Sequence, residues 1–243
     1  MPPDIWDLAL SSDGRGVFAS GGNGVGIWAV ETGEEVRHIQ MMSGTWGMAL
    51  SSDDRWLVTA ERDGRVHLWD AASGREMNDF KGHERGSVLG VAVSPDGRRV
   101  LSGGEDHTVR FWDFENEVQL QRLEVSARAW GVAFSPTGRQ AASSDDKGFV
   151  RLYDVSETEM RLRRLPRWHT RAVRSLAFAP DGATLASAGL DGRLILWDVA
   201  QQSKVREWHL PGLVLAVGFA PDARHLAIAN YNGTVYILRL AKP

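Results

Sequence analysis

One pattern of apolar and polar positions recurs six times along the chain. Each copy opens on a run in which large residues alternate with small ones, as in Trp46-Gly47-Met48-Ala49-Leu50 and Trp130-Gly131-Val132-Ala133-Phe134. Alternation with a period of two predicts a strand. The small positions are Ala or Gly rather than polar, which predicts burial on both faces, as for an innermost strand of a stacked sheet. A turn follows, Ser94-Pro95-Asp96-Gly97 in the third copy and Ala179-Pro180-Asp181-Gly182 in the fifth. Proline pre-sets φ at the first central position, and Gly supplies the left-handed conformation that returns the chain. Copies two and six put Asp54 and Ala223 where Gly is expected. An alanine held at positive φ costs on the order of 1 kcal/mol, so the last copy is expected to have the weaker hairpin. A second strand (Val100 to Ser102, Leu185 to Ser187), a third (Val109 to Trp112) and a fourth (Glu76 to Phe80, Glu117 to Leu123) complete the unit. No segment reads as a long amphipathic helix, a linker or a low-complexity stretch.

The third strand closes on an aromatic residue at Trp28, Trp69, Trp112, Tyr153 and Trp197, and Leu238 takes the slot in the sixth copy. Successive spacings are 41, 43, 41, 44 and 41 residues. A period of roughly 40–45 residues with a closing Trp-Asp marks a four-stranded propeller blade. The repeat fills nearly all of residues 1–243, which predicts one all-β domain of six blades.

On these residues the chain resembles the WD-repeat (WD40-type) β-propeller family, with bacterial-type Ser-Pro-Asp-Gly turns. Copies three and five carry the family's full pattern, Gly82-His83, Ser102, Asp106 and Trp112-Asp113, then His169, Ser187, Asp191 and Trp197-Asp198. Copy two keeps Thr59, Asp63 and Trp69 without a histidine; copy four has Tyr153 and reads as carrying a one-residue insertion near Asp145-Asp146; copy six has Asn232 and Leu238. The resemblance implies that His83, Ser102, Asp106 and Trp112, and likewise His169, Ser187, Asp191 and Trp197, form buried hydrogen-bond tetrads that lock loops between blades.

In the family, the strand after each Trp-Asp completes the outer edge of its blade. The sixth copy ends at Tyr236 to Leu240 with three residues beyond, and Met1 to Asp4 are too few for a strand of normal length. The sixth blade is therefore expected to lack its outer strand, with Val235 to Leu240 an apolar open edge, so that either an upstream segment is missing or the isolated chain self-associates through that edge. An incomplete seven-bladed propeller is the alternative.

Composition changes this picture little. The 43% apolar and 24% charged fractions are those of an ordinary globular protein, and the net charge of −3 argues against a general nucleic-acid binder. There are no cysteines, so neither disulfides nor zinc–thiolate sites are available. No stretch approaches the roughly 18 apolar residues of a membrane helix, and the N-terminus lacks the features of a signal peptide. A cytoplasmic location without membrane contact is the expectation, unless the chain is trimmed from a longer protein.

Several constellations invite a chemical reading. His83, Ser102 and Asp106 hold the residue types of a nucleophilic triad, but their recurrence at His169, Ser187 and Asp191 favours a structural role. Gly21-Gly22-Asn23-Gly24-Val25-Gly26 leads into Ile27-Trp28 rather than a helix, so it reads as a turn, not a phosphate loop. Asp145-Asp146 with Asp154 matches no calcium loop and reads as a solvated turn. No cofactor, metal or catalytic residue is expected.

Trp6, Trp46 and Trp130 share one slot at the start of the innermost strand, where Leu89, Arg174 and Leu215 stand in the other copies. The family resemblance puts that slot near the mouth of the central channel, on the face that most often binds partners, with Arg62, Glu105, Leu190 and Tyr231 from the second turn beside it. Trp and Arg are enriched at binding hot spots, and packing between blades is the alternative reading of these tryptophans. Arg161, Arg163, Arg164, Arg167, Arg171 and Arg174 crowd the region after copy four, as a docking patch for an acidic or phosphorylated partner or as charge that blocks stray pairing at an outer strand. The function implied is a non-enzymatic scaffold that binds a protein or peptide at the channel mouth through Trp6, Trp46, Trp130, Arg174, Arg62, Glu105 and Tyr231. A sensor or regulatory module of a larger signalling enzyme, such as a kinase, is the alternative.

Overall fold

The computed structural model describes residues 5–240, with the side chain of Arg164 outside the described set. Its contacts gather into two compact units, residues 1–123 and 124–243. The first holds three four-stranded sheets. Blade one is β1 (Ile5–Leu10), β2 (Gly16–Gly21), β3 (Gly24–Ala29) and β4 (Glu35–Gln40). Blade two is β5 (Thr45–Leu50), β6 (Trp56–Glu61), β7 (Arg65–Asp70) and β8 (Arg75–Lys81). Blade three is β9 (Val88–Val93), β10 (Arg99–Gly104), β11 (Thr108–Asp113) and β12 (Val118–Glu124), its last strand running one residue past the unit boundary.

The second unit holds blade four, β13 (Ala129–Phe134), β14 (Gln140–Asp145), β15 (Val150–Val155) and β16 (Met160–Arg164), and blade five, β17 (Val173–Phe178), β18 (Thr184–Gly189), β19 (Arg193–Asp198) and β20 (Ser203–His209). Blade six has three strands, β21 (Val214–Phe219), β22 (His225–Asn230) and β23 (Val235–Arg239), with β23 at its edge. Strands pair antiparallel in sequence order within every blade. The fold is the all-β, six-bladed propeller class expected, with the short sixth blade, and no helix of the described residues is long and apolar enough to cross a membrane. Met1 to Asp4, expected to form no strand, lie outside the described residues.

The alternating first strands build the interfaces between blades. Met48, Leu50, Leu57 and Trp69 of blade two pack on Phe18, Val25, Ile27 and Ile39 of blade one. The opposite face of blade two, Val58, Ala60, Val66, Leu68 and Phe80, packs on Val91, Val93, Val100 and Trp112 of blade three. The same division recurs between blades four and five and between five and six. Trp197 is fully buried in one such interface, a contribution of about 3 kcal/mol against leaving it exposed. Burial on both faces holds for β5, β9, β13 and β17 but not for β1 and β21, whose residues are partly exposed.

Asp54 and Ala223 sit at φ 57° and 55°, where Gly97 and Gly182 take 68° and 70°, so the turn geometry is kept without glycine. The glycine-rich segment is the β2–β3 turn. Gly24 lies there at φ 126°, where a Cβ would come 2.1 Å from the carbonyl oxygen of Ile39.

Two readings of the sequence are corrected. Copy four has no insertion, since Ser143 and Tyr153 stand ten residues apart, as do Ser102 and Trp112. Asp145 thus takes the position of Gly104, and Asp146 that of Glu105. Nor is Asp145 solvated. It is fully buried and accepts hydrogen bonds from Ser126 Oγ at 2.7 Å, Arg151 Nη2 at 2.8 Å and the amides of Lys147 and Phe149.

Candidate functional site

The shared slot of Trp6, Trp46 and Trp130 has a backbone cause. In each blade the pairing of the first strand with the second skips a residue near its start, between Ile5 and Asp7, Thr45 and Gly47, Ala129 and Val132, Val173 and Ser175, and Val214 and Ala216, and at Leu89 in blade three. Such a bulge re-aims the side chain it carries. It takes Trp6, Trp46, Leu89, Trp130, Arg174 and Leu215 out of the strict in–out alternation. A second repeated bond places the turn beside it. The amides of Arg62, Glu105, Asp146, Leu190 and Tyr231 donate to the carbonyls of Gly44, Ser87, Arg128, Ala172 and Leu213, just ahead of each first strand. Asp146 belongs to this set and was hidden by the assumed insertion.

In the first unit the slot gathers three of the named residues. The rings of Trp6 and Trp46 stack with centroids 4.7 Å apart, and the Arg62 guanidinium carbon lies 4.8 and 5.0 Å from them. Both indoles are half-buried and Arg62 is exposed. Among the described residues the Arg62 guanidinium makes no hydrogen bond or ion pair, so its planar fork of donors is held by ring stacking and left open. Glu105 is used locally, accepting the amide of Ser87 at 3.0 Å.

The second unit holds a different arrangement. Arg174 lies 3.4 Å from the Trp130 ring centroid, and Arg128 lies 5.5 Å from it. Asp146 accepts from the Trp130 indole and pairs with Arg128 at 2.6 Å. Burial lowers the pKa of Arg174 and the nearby Asp146 carboxylate opposes that shift. This cluster is internally compensated where Arg62 is not. Tyr231 is 73% exposed.

The tetrad residues come together in both blades that carry them. Trp112 Nε1 donates to Ser102 Oγ at 2.8 Å, His83 Nε2 meets the same oxygen at 2.7 Å, and His83 Nδ1 meets Asp106 Oδ1 at 2.8 Å. In blade five the distances are 2.8 Å from Trp197 to Ser187, 2.8 Å from His169 to Ser187 and 3.0 Å from His169 to Asp191. With the indole N–H on its lone pair and no exposed surface, neither serine is open to a substrate carbonyl. Burial holds His83 below its ordinary pKa, against the pull of Asp106. Asp106 is also depressed, because the bonds from His83, Thr108 and Arg110 outweigh the cost of burial.

Blades two and four use another device, which the sequence reading missed. Thr59 receives the Trp69 indole at 2.9 Å and donates to Glu61 Oε1 at 3.0 Å, while Ser43 donates to Glu61 Oε2. Glu61 stands where blades three and five have Gly104 and Gly189. A Cβ at those glycines would come 2.3 Å from His83 Nδ1 and 2.5 Å from His169 Nδ1. The carboxylate therefore fills the volume that the histidine ring fills elsewhere. His67 sits beside it, with Nε2 3.8 Å from Glu61 and 3.2 Å from Asp63, and Nδ1 2.6 Å from Glu76. Burial raises the pKa of Glu61; for His67 burial works downward, and the surrounding carboxylates overcome it and raise the pKa. Glu61, Asp63 and His67 have the donor types of a metal site, yet each is already engaged by its neighbours. In blade four Asp145 plays the part of Glu61 and Arg151 that of His67.

Of the arginines after copy four, four have described partners in different places. Arg161 pairs with Glu159 and Arg163 with Asp154, both along the outer strand β16, while Arg167 lies 5.4 Å from the Phe149 ring and Arg174 belongs to the inner cluster.

A family model described as WD domain, G-beta repeat, matches residues 36–70, 74–113, 119–154 and 161–198, together more than half of the chain. The chain belongs to the WD40 repeat family. Each match ends at the Asp that follows the closing aromatic of blades two to five, and blades one and six are recognised by their strands and turns. The chain is 33% identical to human WD repeat-containing protein 3 over 116 residues, covering 46% of this chain and 12% of that protein. It is 27% identical to mouse Transducin-like enhancer protein 2 over 193 residues, 79% of this chain and 25% of the relative. It is 26% identical to Drosophila melanogaster Protein groucho over 203 residues, 81% and 27% respectively. The chain thus spans little more than a quarter of these relatives at most.

Proposed function

We propose that this WD40 chain is a non-enzymatic interaction scaffold that binds a protein or peptide at the bulged ends of its inner strands, with Trp6, Trp46 and Arg62 as the principal anchor. The observation that carries the reading is the open guanidinium of Arg62 beside two stacked indoles. Stacking holds the guanidinium plane at low entropic cost, and its unengaged donors fit a carboxylate or phosphate bidentately. The indoles offer contact area to an apolar or aromatic neighbour of that anion, and truncating such anchors costs more than about 1 kcal/mol. In the same unit Glu105 serves as a rim residue; Trp130 and Arg174, already balanced by Asp146, and the exposed Tyr231 are candidate contacts of the second unit in their own right.

A peptide array scanned with the purified chain, followed by calorimetry on the best acidic peptide, tests this. Arg62→Ala and Trp46→Ala are each expected to weaken binding at least fivefold, while Arg163→Ala leaves it unchanged. Full affinity in a Trp6, Trp46 and Arg62 triple variant that keeps its circular dichroism would refute the site. Dependence on Arg161 and Arg163 instead would move the docking surface to the outer strand.

A further inference from the structure

The segment between β16 and β17, all of it in the second unit, is a fixed platform. Leu165 and Ala172 are buried at its ends, and His169 is held in its middle by the tetrad. Arg193 Nη1 donates to the Trp168 carbonyl at 3.2 Å, and the Thr170 amide donates to Asp191 at 2.8 Å. The β14–β15 turn packs on the other side, where a Cβ on Gly148 would come 2.5 Å from the carbonyl oxygen of His169 and 2.8 Å from that of Arg171. Arg167, Trp168, Thr170 and Arg171 are exposed around the buried histidine, and so is Lys147 in the turn. Among the described residues the side chains of Lys147, Arg167 and Arg171 make no hydrogen bond or ion pair. The acids of the turn are engaged elsewhere, Asp145 by Arg151 and Asp146 by Arg128. Arg151 and Arg167 lie 5.3 and 5.4 Å from the Phe149 ring, and of the two only Arg167 keeps its donors open.

The tetrad does not require this patch. Blades two and three build the same packing, with a Cβ on Gly64 placed 2.3 Å from the His83 carbonyl oxygen and 2.9 Å from that of Gly86. There Asp63, Gly82, Glu84 and Gly86 stand where Lys147, Trp168, Thr170 and Arg171 stand in blades four and five. The charge is regional as well. Residues 124–243 carry 16 Lys and Arg against 11 Asp and Glu, whereas residues 1–123 carry 12 against 20, and residues 160–180 hold six arginines and no carboxylate.

We propose that this surface binds a phosphorylated peptide segment, with Lys147, Arg167 and Arg171 around the phosphate and Trp168 against a neighbouring side chain. Three open cations bordering one turn suit a charge concentrated at a point, the near-dianion of a phosphate, better than a run of single carboxylates. The stacked guanidinium plane of Arg167 is pre-set for bidentate contact with it. A nucleic-acid backbone needs a basic track, and the arginines that would extend one along β16, Arg161 and Arg163, are paired with Glu159 and Asp154. The surface shares no residue with the Arg62 anchor.

The test is run in an Arg62→Gln background, so that the first-unit anchor contributes nothing. An array of phosphoserine and phosphothreonine peptides is probed with the purified chain, and the best peptide is titrated by fluorescence anisotropy. The same peptide after phosphatase treatment, the same peptide with Glu in place of the phosphorylated residue, and a single-stranded oligonucleotide are titrated beside it. The phosphopeptide is expected to bind at least tenfold tighter than each of the three. Lys147→Gln, Arg167→Gln and Arg171→Gln are each expected to weaken it at least threefold and together to abolish the preference, whereas Arg161→Gln leaves it unchanged. All of these positions are exposed, so circular dichroism is expected to be unchanged. Equal affinity for the Glu peptide overturns the proposal in favour of a plain acidic partner, and tighter binding of the oligonucleotide overturns it in favour of nucleic acid. A preference that survives the triple variant, or an array on which no phosphopeptide binds, overturns it outright.

Discussion

The strictest demand the tetrads make on the sequence is the glycine beneath each histidine ring, and Gly189→Ala measures it. An ideal Cβ at residue 189 would lie 2.5 Å from His169 Nδ1 and 2.6 Å from Asp191 Oδ1. Ordinary contact needs about 1 Å more, so the imidazole and the carboxylate must separate from the strand and from each other. Their 3.0 Å bond and the 2.8 Å bond from His169 to Ser187 are both at risk. Losing a hydrogen bond to a charged group costs about 1.5–3 kcal/mol. Replacing glycine in a strand returns about 0.5–1 kcal/mol through the unfolded state. The net expectation is a destabilisation of about 2 kcal/mol, read as a lower urea midpoint by tryptophan fluorescence.

The control is a second background. In His169→Ala the ring is gone and the Asp191 carboxylate, released from its histidine partner, is free to turn away from the added methyl, so Gly189→Ala is expected to cost much less there. The coupling energy of the cycle is then about 2 kcal/mol, well above the few tenths found for independent sites. Equal costs in the two backgrounds, or a Gly189→Ala variant within about 0.5 kcal/mol of the parent, would refute the competition between methyl and ring.

Other outcomes follow from the same geometry. Ala223→Gly relieves a residue at φ 55° and is expected to stabilise by about 0.5–1 kcal/mol, whereas Asp54→Gly is expected to gain nothing, because Asp54 also accepts bonds from the amide and hydroxyl of Ser12; urea midpoints check both. Glu61 has a folded pKa raised above 4.5, so the folded state binds the extra proton and its contribution is present below that value and lost as pH rises through the folded pKa. Glu61→Gln is therefore expected to gain in stability relative to the parent between pH 5 and pH 8, and a difference independent of pH would contradict the raised pKa. His83 has the opposite sign: its folded pKa lies below 6.5, so stability is lost as pH falls through 6.5, and His83→Gln is expected to flatten that acid limb of the profile.

The period of the repeat carried the blade count, the strand order and the short sixth blade, because apolar alternation and turn chemistry are local properties that each strand displays by itself. The tetrads were legible for a related reason: His83 and His169 stand out against copies that lack them. The bulge beneath Trp6, Trp46 and Trp130 was not legible, since a skipped residue in pairing depends on the partner strand and leaves no mark on composition. Nor was the contrast between the open Arg62 and the compensated Arg174. It is decided by Asp146, a residue whose register in copy four could be read two ways until its pairing was seen.

The substitutes in blades two and four show why that register matters. A histidine arriving from the preceding loop and a side chain on the second residue after the Ser or Thr compete for one volume, so a blade holds one or the other. Where the ring is present the residue is glycine, at 104 and 189. In blades two and four, where it is absent, a carboxylate enters, Glu61 or Asp145, and takes a hydroxyl bond from the loop that would have carried the histidine, from Ser43 or Ser126. A buried carboxylate needs a countercharge, and in both blades it stands six residues further on, in His67 and Arg151. The acid and the base are thus a consequence of losing one histidine. Copies two and four, which read as degraded versions of the motif, are closed locks of a second kind, and their charges are committed to the fold rather than free for chemistry.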